Sequence, residues 1–520
     1  MVGVRPSLCQ GMPNRAGDSQ IQHSPLQWRL WPTNVLDPCA ATVAAHAAGI
    51  PASGSFSPMS TPDKPHRSPG SETPKTFDIS RRLFVKRCSL IAAMTGLPLW
   101  FIERQQLAAA DVPSLPTPND RPGIALIGCG GQGRFDAINA SKYGEILAVC
   151  DVDADHAEAA AKKFTVDGKV PQIYSDFRRV MERPDIPIIV NATPDHWHTL
   201  VNTAAAHAKK DVYGEKPLTL TVDEGRRLVK VVRDSGIVLQ TGTQQRSSAR
   251  FRLACELVRN GRIGTLKEAH VWLPAGLRDG PFKPIPVPAS LDWDFWQGQA
   301  PATAYMKERC HTTFRYWYEY SGGTMTDWGA HHNDIAYWAI GLLAPKTVES
   351  TVLAQPIPGG YTTFAEYTVK YTYSNGIVLN INTTKDDSIF GSVVNQNGQR
   401  NGIRFEGTDG WIWVNRDEIT ASDPHLLTKP LPEGAIRLYK SNNHMGNFID
   451  CVRSRKLPIC DVETGHRSAT MCHLGAISMR TGHRLEWDAE AERFVGEHSD
   501  EADGYLRREM RKPYDYSFVS

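Results

Sequence analysis

The stretch GIALIGCGGQG, residues 123–133, decides the fold. Its first five residues are an apolar run that predicts a buried strand, and a G-x-G-x-x-G pattern follows at once. In such a strand-to-helix turn, Gly128 permits the tight turn, Gly130 lets a pyrophosphate approach the backbone, and Gly133 lets the helix pack on the strand. Gln132 lies in the same turn, where the positive end of the helix would face the phosphates. The stretch predicts a dinucleotide-binding unit.

A second predicted strand, Ile146–Cys150, ends at an acidic residue. This residue, Asp151, lies 23 positions after Gly128. In a dinucleotide-binding fold, a carboxylate at that place accepts hydrogen bonds from ribose hydroxyls and repels a 2′-phosphate. We therefore expect NAD rather than NADP, with a solvated loop acid as the alternative interpretation of Asp151.

Strand–helix units continue after this pair. Further strands are predicted at 188–191, 211–214 and 238–241, and helices at 198–208 and 221–235 follow the first two of them. This alternation predicts a doubly wound parallel sheet, so we assign an α/β fold with an N-terminal Rossmann domain over residues 121–247.

The composition is that of a two-domain globular protein. The chain has 520 residues, a length greater than one ordinary hydrophobic core accommodates. Hydrophobic residues make up 41% and charged residues 22%, which is typical of globular proteins. The net charge of +2 gives no field that would attract nucleic acid, so no nucleic-acid partner is expected. The ten cysteines form no C-x-x-C pair. Cys129 and Cys150 are interpreted as buried thiols, and a Cys451–Cys460 bridge stays open as an alternative.

The residues before the Rossmann domain are typical of an export signal. Residues 1–79 are rich in proline, serine and glycine and are expected to be disordered. Met59 is a candidate for the true translation start, in which case residues 1–58 would be an artefact of gene-start assignment. Residues 80–110 combine the twin arginine Arg81-Arg82 with an apolar run shorter than the ~20 residues that span a bilayer. We predict a Tat signal, a periplasmic location and no stable membrane insertion. The alternative is a chance arginine pair before a buried helix.

Three later motifs resemble those of the Gfo/Idh/MocA oxidoreductases. They are TPDHWH at 193–198, GEKPL at 214–218 and GGTMTDWGAHHND at 322–334. The resemblance runs from about Gly123 to Trp487. It implies a C-terminal α/β domain with an open, mostly antiparallel sheet, which we place at 248–490 before a tail over 491–520. Such sheets are often used for dimerisation, so a homo-oligomer, a dimer or tetramer, is expected.

The sequence of the second domain contains its own strand signals. Val369–Tyr373 and Ile377–Ile381 flank a Ser-Asn-Gly turn, which predicts a hairpin. Arg404–Glu406 and Trp411–Val414 flank a second glycine-containing turn. The proline-rich, aromatic stretch Pro274–Pro301 is interpreted as an irregular loop that wraps over the site.

The resemblance implies a catalytic group of Lys216, Asp327 and His331. Oxidation of a carbinol needs a proton acceptor within hydrogen-bond distance whose pKa lies near the working pH. Lys216 follows a predicted strand, at the sheet edge where ligands bind. Asp327 and His331 are spaced i, i+4 and would share one face of a helix, with His331 as the general base. Without its motif, Lys216 would be read as a solvated lysine.

The predicted cofactor-binding residues follow the strand ends and the three motifs. They are Gly128, Gly130, Gln132, Gly133, Asp151, Thr193, Pro194, His198, Glu215 and Gln244. His196, Trp197 and His198 are accompanied by no carboxylate cluster with ligand spacing. We therefore expect them to pack beside the nicotinamide, and we expect no metal ion.

Together these features predict an NAD(H)-dependent oxidoreductase that acts on a sugar, a sugar derivative or a polyol. Little free NAD exists outside the cytoplasm, so an exported enzyme of this kind would keep its cofactor tightly bound and re-oxidise it in place. One alternative is a redox-neutral glycosidase or lyase that oxidises a sugar carbon transiently. A non-catalytic sugar-binding relative is the other, and the presence of Lys216, Asp327 and His331 argues against it.

Overall fold

Six parallel strands form the first sheet of the computed structural model, which describes residues 81–107, 121–341, 344–383 and 401–520. In chain order they are β1 (Gly123–Ile127), β2 (Glu145–Cys150), β3 (Gln172–Tyr174), β4 (Ile188–Asn191), β5 (Asp211–Gly214) and β6 (Leu239–Thr241). Across the sheet the order is β3-β2-β1-β4-β5-β6. The order reverses between β1 and β4, which is the switch point of a Rossmann fold. The predicted doubly wound parallel sheet is confirmed.

The segment predicted as an export signal contains two helices, α1 (Arg81–Thr95) and α2 (Leu99–Leu107). The first helix is followed by Gly96, whose φ of +66° is left-handed, and Pro98 directly precedes the second helix. Cys88 of α1 and Phe101 of α2 are buried with residues of the second domain. No helix among the described residues is both long and apolar enough to cross a bilayer. The predicted disordered extension at 1–79 lies outside the described residues.

Helices cover both faces of the first sheet. They are α3 (Gly131–Ala140), α4 (Ala154–Lys163), α5 (Phe177–Met181), α6 (His198–His207) and α7 (Val222–Ser235). Because side chains alternate along a strand, Ile124 and Leu126 of β1 pack with α3, whereas Ala125 and Ile127 pack with α6. This burial on both sides explains why β1 is apolar throughout.

Nine strands form the second sheet. They are β7 (Leu266–Trp272), β8 (Thr347–Val352), β9 (Tyr367–Thr372), β10 (Val378–Asn382), β11 (Gly402–Gly407), β12 (Gly410–Val414), β13 (Ile419–Ala421), β14 (Leu485–Asp488) and β15 (Arg493–Val495). Their order is β13-β12-β11-β7-β10-β9-β8-β14-β15. β7 and β10 pair in parallel, and the other pairs are antiparallel. The predicted sheet and both predicted hairpins, β9–β10 and β11–β12, are confirmed.

Helices of the second domain pack on this sheet and on the first domain. They are α8 (Ala249–Arg259), α9 (Trp293–Gln297), α10 (Thr324–Asp327), α11 (Gly329–Ile340), α12 (His425–Thr428), α13 (His444–Ser454), α14 (Val462–Thr481) and α15 (Ser499–Gly504). Residues of α8, α11 and α14 share one core with the strands. Phe448 and Ile449 of α13 instead join the core of the first sheet.

Two predictions about this region are wrong in detail. The stretch 274–301 is not irregular throughout: α9 forms there because Asp292 caps it, with Oδ1 accepting from Phe295 N at 2.9 Å. Asp327 and His331 lie on two helices rather than one. The carbonyl of Asp327 accepts from Lys216 Nζ at 3.2 Å, and His331 N donates to Trp328 O at 3.0 Å instead. Because of this change of hydrogen-bond partners, α10 ends at Asp327 and α11 begins at Gly329.

Residues 289–316, hereafter the strap, run from the second domain across the carboxyl end of β2. Ala154 N donates to Ser290 O at 2.8 Å, and Asp292 N donates to Val152 O at 3.0 Å. Ten buried side chains in and beside the strap form their own apolar cluster, among them Trp296 and Phe314. The strap is therefore joined to the Rossmann domain by main-chain hydrogen bonds and packed on an aromatic core.

The segment assigned as a C-terminal tail, 491–520, packs on both domains. Its first residues include β15, whose Phe494 is buried against Trp487. Arg508 donates from Nε to Glu224 Oε1 of α7 at 2.8 Å, and the ring of Tyr514 stacks on Phe295 of the strap. The second sheet thus extends past residue 490.

Candidate active site

The glycine-rich turn after β1 forms an open cradle. Gly128 has a φ of +88°, a left-handed conformation that favours glycine. A Cβ on Gly133 would lie 1.9 Å from Gly128 O, so α3 can approach the turn only with glycine there. A Cβ on Gly130 would meet no atom within 4 Å. The space beside Gly130 and the N-terminus of α3 together fit a pyrophosphate.

Asp151 braces the same turn. Its Oδ2 accepts from Cys129 N at 2.7 Å, and its Oδ1 accepts from Asp153 N at 2.9 Å. Asp151 and Leu291 of the strap both line a cavity of about 350 Å³ between the ends of β2 and β3. The contact of Asp151 with an adenosine ribose stays a prediction.

The loop after β4 is held by buried hydrogen bonds. Thr193 Oγ1 donates to Asn191 Oδ1 at 2.8 Å, next to Pro194. Nδ1 of His198 lies 2.6 Å from Pro217 O, and its Nε2 lies 2.9 Å from Thr193 O. Because both ring nitrogens are engaged by the main chain, His198 positions the loops after β4 and β5. A contribution of His198 to cofactor binding stays a prediction.

The two side chains before it contact the strap. Nε2 of His196 and Nε1 of Trp197 both lie within hydrogen-bond distance of Trp296 O, at 2.9 and 3.0 Å. Asp195, in the same loop, accepts a hydrogen bond from Ser321 Oγ. The TPDHWH motif therefore fastens the strap, and Ser321 just before the GGTMTDWGAHHND motif, to the end of β4.

Two buried carboxyl groups meet behind the cradle. Glu215 Oε1 accepts from Gln244 Nε2 at 2.9 Å and lies 3.5 Å from Gln132 Nε2. The same amide of Gln132 donates to Asp136 Oδ1 at 3.1 Å. Burial raises the pKa of both carboxyls, and the negative charge of Glu215 raises that of Asp136 further. Asp136 is therefore the member of the pair that stays protonated.

An ion-pair cluster lies at the end of β5. Lys216 Nζ forms a salt bridge with Asp327 Oδ1 and a second hydrogen bond, of 3.2 Å, with the main-chain oxygen of Asp327. Arg315 Nε of the strap lies 3.4 Å from the same carboxylate. Burial alone would raise the pKa of Asp327, but the charges of Lys216 and Arg315 lower it to about 2. The carboxylate is thus charged at every pH at which the protein works.

His331 is buried beside this cluster and is neutral. Burial lowers the pKa of His331 well below its ordinary value, and the positive charges of Lys216 and Arg416 lower it further. Its Nδ1 has no hydrogen-bond partner among the described residues. A neutral imidazole with an unpartnered nitrogen next to a lysine ammonium can accept a proton from a hydroxyl.

Both domains match models of known protein families. Residues 123–243 match the model of an oxidoreductase family's NAD-binding Rossmann fold, and residues 271–516 match the model of its C-terminal alpha/beta domain. The chain belongs to the Gfo/Idh/MocA oxidoreductase family. The predicted family is confirmed, and with it NAD as the cofactor and the oxidoreductase class.

Individual relatives of this Gfo/Idh/MocA protein match over part of their length. Levoglucosan dehydrogenase of Pseudarthrobacter phenanthrenivorans is 25% identical over 295 residues, which is 52% of this chain and 66% of that protein. Myo-inositol 2-dehydrogenase of Thermotoga maritima is 29% identical over 172 residues, 33% of this chain and 47% of that protein. The chain thus spans about half to two thirds of these relatives. The aldose–aldose oxidoreductase structure from Caulobacter crescentus, complexed with glycerol, shares the fold with a TM-score of 0.53 at 17% identity, covering 70% of this chain and 99% of that one.

The structure brings the sequence-predicted residues to one edge of the Rossmann sheet. Those at strand ends are Gly128, Asp151, Thr193, Glu215, Lys216 and Gln244, and Asp327 reaches them through its salt bridge to Lys216. Sequence reasoning missed Arg315, Arg416 and Asp136. No local pattern marks Arg315 or Arg416, since both arrive from distant segments. The sequence contained a weak signal for Asp136. This acidic residue lies in the helix that follows a glycine-rich turn, and a carboxyl buried there requires a partner.

Proposed function

We propose that this protein is an NAD(H)-dependent oxidoreductase that oxidises a carbinol carbon of a sugar, sugar derivative or polyol and retains its cofactor. The observation that carries the proposal is the neutral His331 beside the salt bridge of Lys216 and Asp327, at the sheet edge that also forms the cradle. A proton acceptor and an ammonium donor at one place serve a hydroxyl-to-carbonyl conversion.

The residues divide the proton chemistry between them. When bound, NAD accepts hydride at its nicotinamide ring. The ammonium of Lys216 has three N–H donors, and Asp327 accepts two of them, which leaves one for a substrate oxygen. The neutral imidazole of His331 accepts the hydroxyl proton. Arg315 keeps Asp327 ionised, and the Asp327 carboxylate holds Lys216 in place.

The substrate class rests on the relatives and on the polarity of the site. The two relatives named above are dehydrogenases of levoglucosan and of myo-inositol. Both compounds carry vicinal hydroxyl groups, and neighbouring hydroxyls suit a site that presents a cationic donor and a neutral acceptor.

Retention of the cofactor is supported by the strap. Strap residues line the cavity beside Asp151, and Ser290 and Asp292 hydrogen-bond to the main chain after β2, so we infer that the strap closes over a bound adenosine. An adenosine held there would leave only when these main-chain bonds open. This closure also favours the second candidate function, a redox-neutral glycosidase or lyase, because such a cycle returns the hydride to the same sugar and never releases the cofactor.

One experiment on the full chain tests these proposals. Protein dialysed without cofactor is denatured, and the released NAD(H) is quantified by mass spectrometry. The native protein is then incubated with sugars, polyols and aryl glycosides, with and without added NAD. We expect NAD(H) to co-purify and turnover to proceed without added cofactor. Cleavage of aryl glycosides without net NADH would select the redox-neutral function, and absence of any NAD(H) binding would refute both.

A matched pair of lysine variants locates the chemistry. Lys216→Ala should lower kcat by about 100-fold or more while NAD(H) stays bound, the scale of a lost acid–base group. Lys230→Ala, which removes an exposed lysine from α7 of the same domain, should leave kcat unchanged. Equal activity of the two variants would remove Lys216 from the mechanism.

Export and assembly complete the proposal. The sequence around Arg81-Arg82 supports export by the Tat pathway to the periplasm, where a retained cofactor is an advantage. We also propose a dimer or tetramer formed through the second sheet. Light scattering of the purified protein measures the mass directly, and a monomer at micromolar concentration would contradict the assembly.

A further inference from the structure

A cluster of metal-ligating side chains lies outside the active site, where the strap meets the Rossmann domain. Asp153, His156 and His311 each bring one ligand atom to within 4.8 Å of the others. Asp153 and His156 come from the beginning of α4, whereas His311 comes from the strap. The cluster is thus shared between the two chain segments that line the cavity beside Asp151.

The geometry of the cluster matches that of a small divalent ion. Two ligands at the usual zinc distances from a tetrahedral centre lie ~3.4 Å apart, and His311 Nε2 lies 3.2 Å from Asp153 Oδ2. The imidazole rings of His156 and His311 converge, with centroids 4.4 Å apart. Asp153 Oδ1 is used to cap α4, with Asp155 N as donor, so Oδ2 is the oxygen that remains for an ion.

A neighbouring carboxylate supplies the support that metal-bound histidines commonly have. Such a histidine usually donates its second N–H to a carboxylate or carbonyl oxygen, which fixes the ring. His156 Nδ1 faces Asp151 Oδ2 at 3.8 Å. His156 would therefore ligate through Nε2, and Asp151 would orient it.

The backbone conformation of His311 is also unusual for a residue with a side chain. Its φ is +53°, in the left-handed region that a residue with a Cβ rarely adopts. A conformation of this kind persists only where the surroundings require it. Here it directs the imidazole at Asp153 from a strap that is already anchored by its aromatic cluster.

We propose that Asp153, His156 and His311 bind a divalent transition-metal ion of the zinc type, which fastens the strap to the Rossmann domain. The proposal departs from the expectation of no metal because the third ligand, His311, lies 155 positions after His156 and forms no local motif with it. It does not depend on the proposed function. A second three-residue group, His483, His498 and Glu501, is more exposed, and its two imidazoles lie parallel at 3.6 Å instead of converging on one point.

Calorimetry with Zn²⁺ tests the site on the full chain, stripped of metal with EDTA and free of any affinity tag. We expect one equivalent to bind to the wild-type protein. His156→Ala and His311→Ala should each weaken binding by at least about 100-fold, more than the 10–100-fold loss on removing a supporting residue. His498→Ala is the matched control and should bind as the wild type does. Lys216→Ala should also bind normally, which separates this test from the catalytic proposal.

Proteolysis of the strap gives a second readout. Lys307 is exposed in the strap, and trypsin cleavage there requires local opening. Zn²⁺ at ten times its Kd should slow cleavage about tenfold in the wild type, since binding to the closed form suppresses opening by that factor. Cleavage of His311→Ala should be unaffected by Zn²⁺. Loss of Zn²⁺ binding in His498→Ala instead, or equal binding by all variants, would overturn the proposal.

Discussion

Replacement of Asp327 by asparagine is the sharpest test of the charge arrangement in the active site. The substitution preserves the shape of the side chain but removes the carboxylate that Lys216 and Arg315 share. Two buried cations would then face each other without an anion. We expect Asp327→Asn to lose both stability and activity.

The magnitude follows from the structure. The pKa of Asp327 falls from 3.8 to about 2, and at 1.36 kcal/mol per pKa unit this shift corresponds to roughly 2.5 kcal/mol of native-state stabilisation at neutral pH. The Asp327 side chain is 19% exposed, so solvent screening reduces the figure little. Removing one member of a buried pair costs about 3–5 kcal/mol, and the loss should fall between these estimates.

The pH dependence has a defined sign. A carboxyl whose pKa is lowered on folding stabilises the native state fully above its ordinary pKa, and the stabilisation is lost as the pH falls from 3.8 toward 2. The difference in unfolding free energy between the wild type and Asp327→Asn should therefore be constant from pH 5 to pH 8. A difference that shrinks within this range would mean that Asp327 titrates there and is not held by the two cations.

The assay is urea unfolding at saturating NAD, monitored by tryptophan fluorescence. Asp234→Asn is the matched control, since Asp234 pairs with Lys230 on the exposed face of α7, and exposed helix pairs contribute only about 0.3–0.5 kcal/mol. If Asp327→Asn destabilises the protein no more than Asp234→Asn does, the buried cluster contributes nothing and the reasoning is refuted. Initial rates of the same variants should show a loss of about 100-fold for Asp327→Asn alone.

Three further predictions concern the base, the cofactor and export. His331→Ala should lower kcat by about 100-fold. Because burial lowers the pKa of His331 well below 6.5, the base stays neutral as the pH falls. A wild-type pH–rate profile with an acid limb centred near pH 6.5 would contradict this. Asp151→Ala should narrow the preference for NAD over NADP, measured by calorimetry, and equal binding of both cofactors by the wild type would remove Asp151 from that role. Replacing Arg81 and Arg82 by lysine should retain the protein in the cytoplasm on cell fractionation, and unchanged periplasmic recovery would argue against Tat export.

The parts of the fold that sequence predicts well are those with local causes. Strands β4 and β5 occupy the predicted residues, 188–191 and 211–214, because each is a short buried run with a polar residue or glycine at its end. The roles assigned to Gly128 and Gly133 are also local, since they depend on one turn and on the helix that follows it.

The parts that sequence does not predict depend on contacts between distant segments. Arg315 reaches Asp327 only because the strap folds back over the sheet edge. Asp136 and Glu215 become a pair because α3 and the end of β5 meet behind the cradle. The break between α10 and α11 has the same kind of cause: the Asp327 carbonyl is taken by Lys216, a residue 111 positions away, and a helical periodicity contains no sign of that competition.

The strap connects cofactor retention to catalysis. Its beginning, at Ser290 and Asp292, lines the cavity beside Asp151, and its end carries Arg315, which keeps the Asp327 carboxylate charged beside Lys216. Opening the strap far enough to release the adenosine would also withdraw Arg315 from the active site. Under the proposed function, the active site would be fully assembled only while the cofactor is enclosed. This arrangement would favour a cycle in which the hydride returns to a bound substrate over one that exchanges cofactor after every reaction.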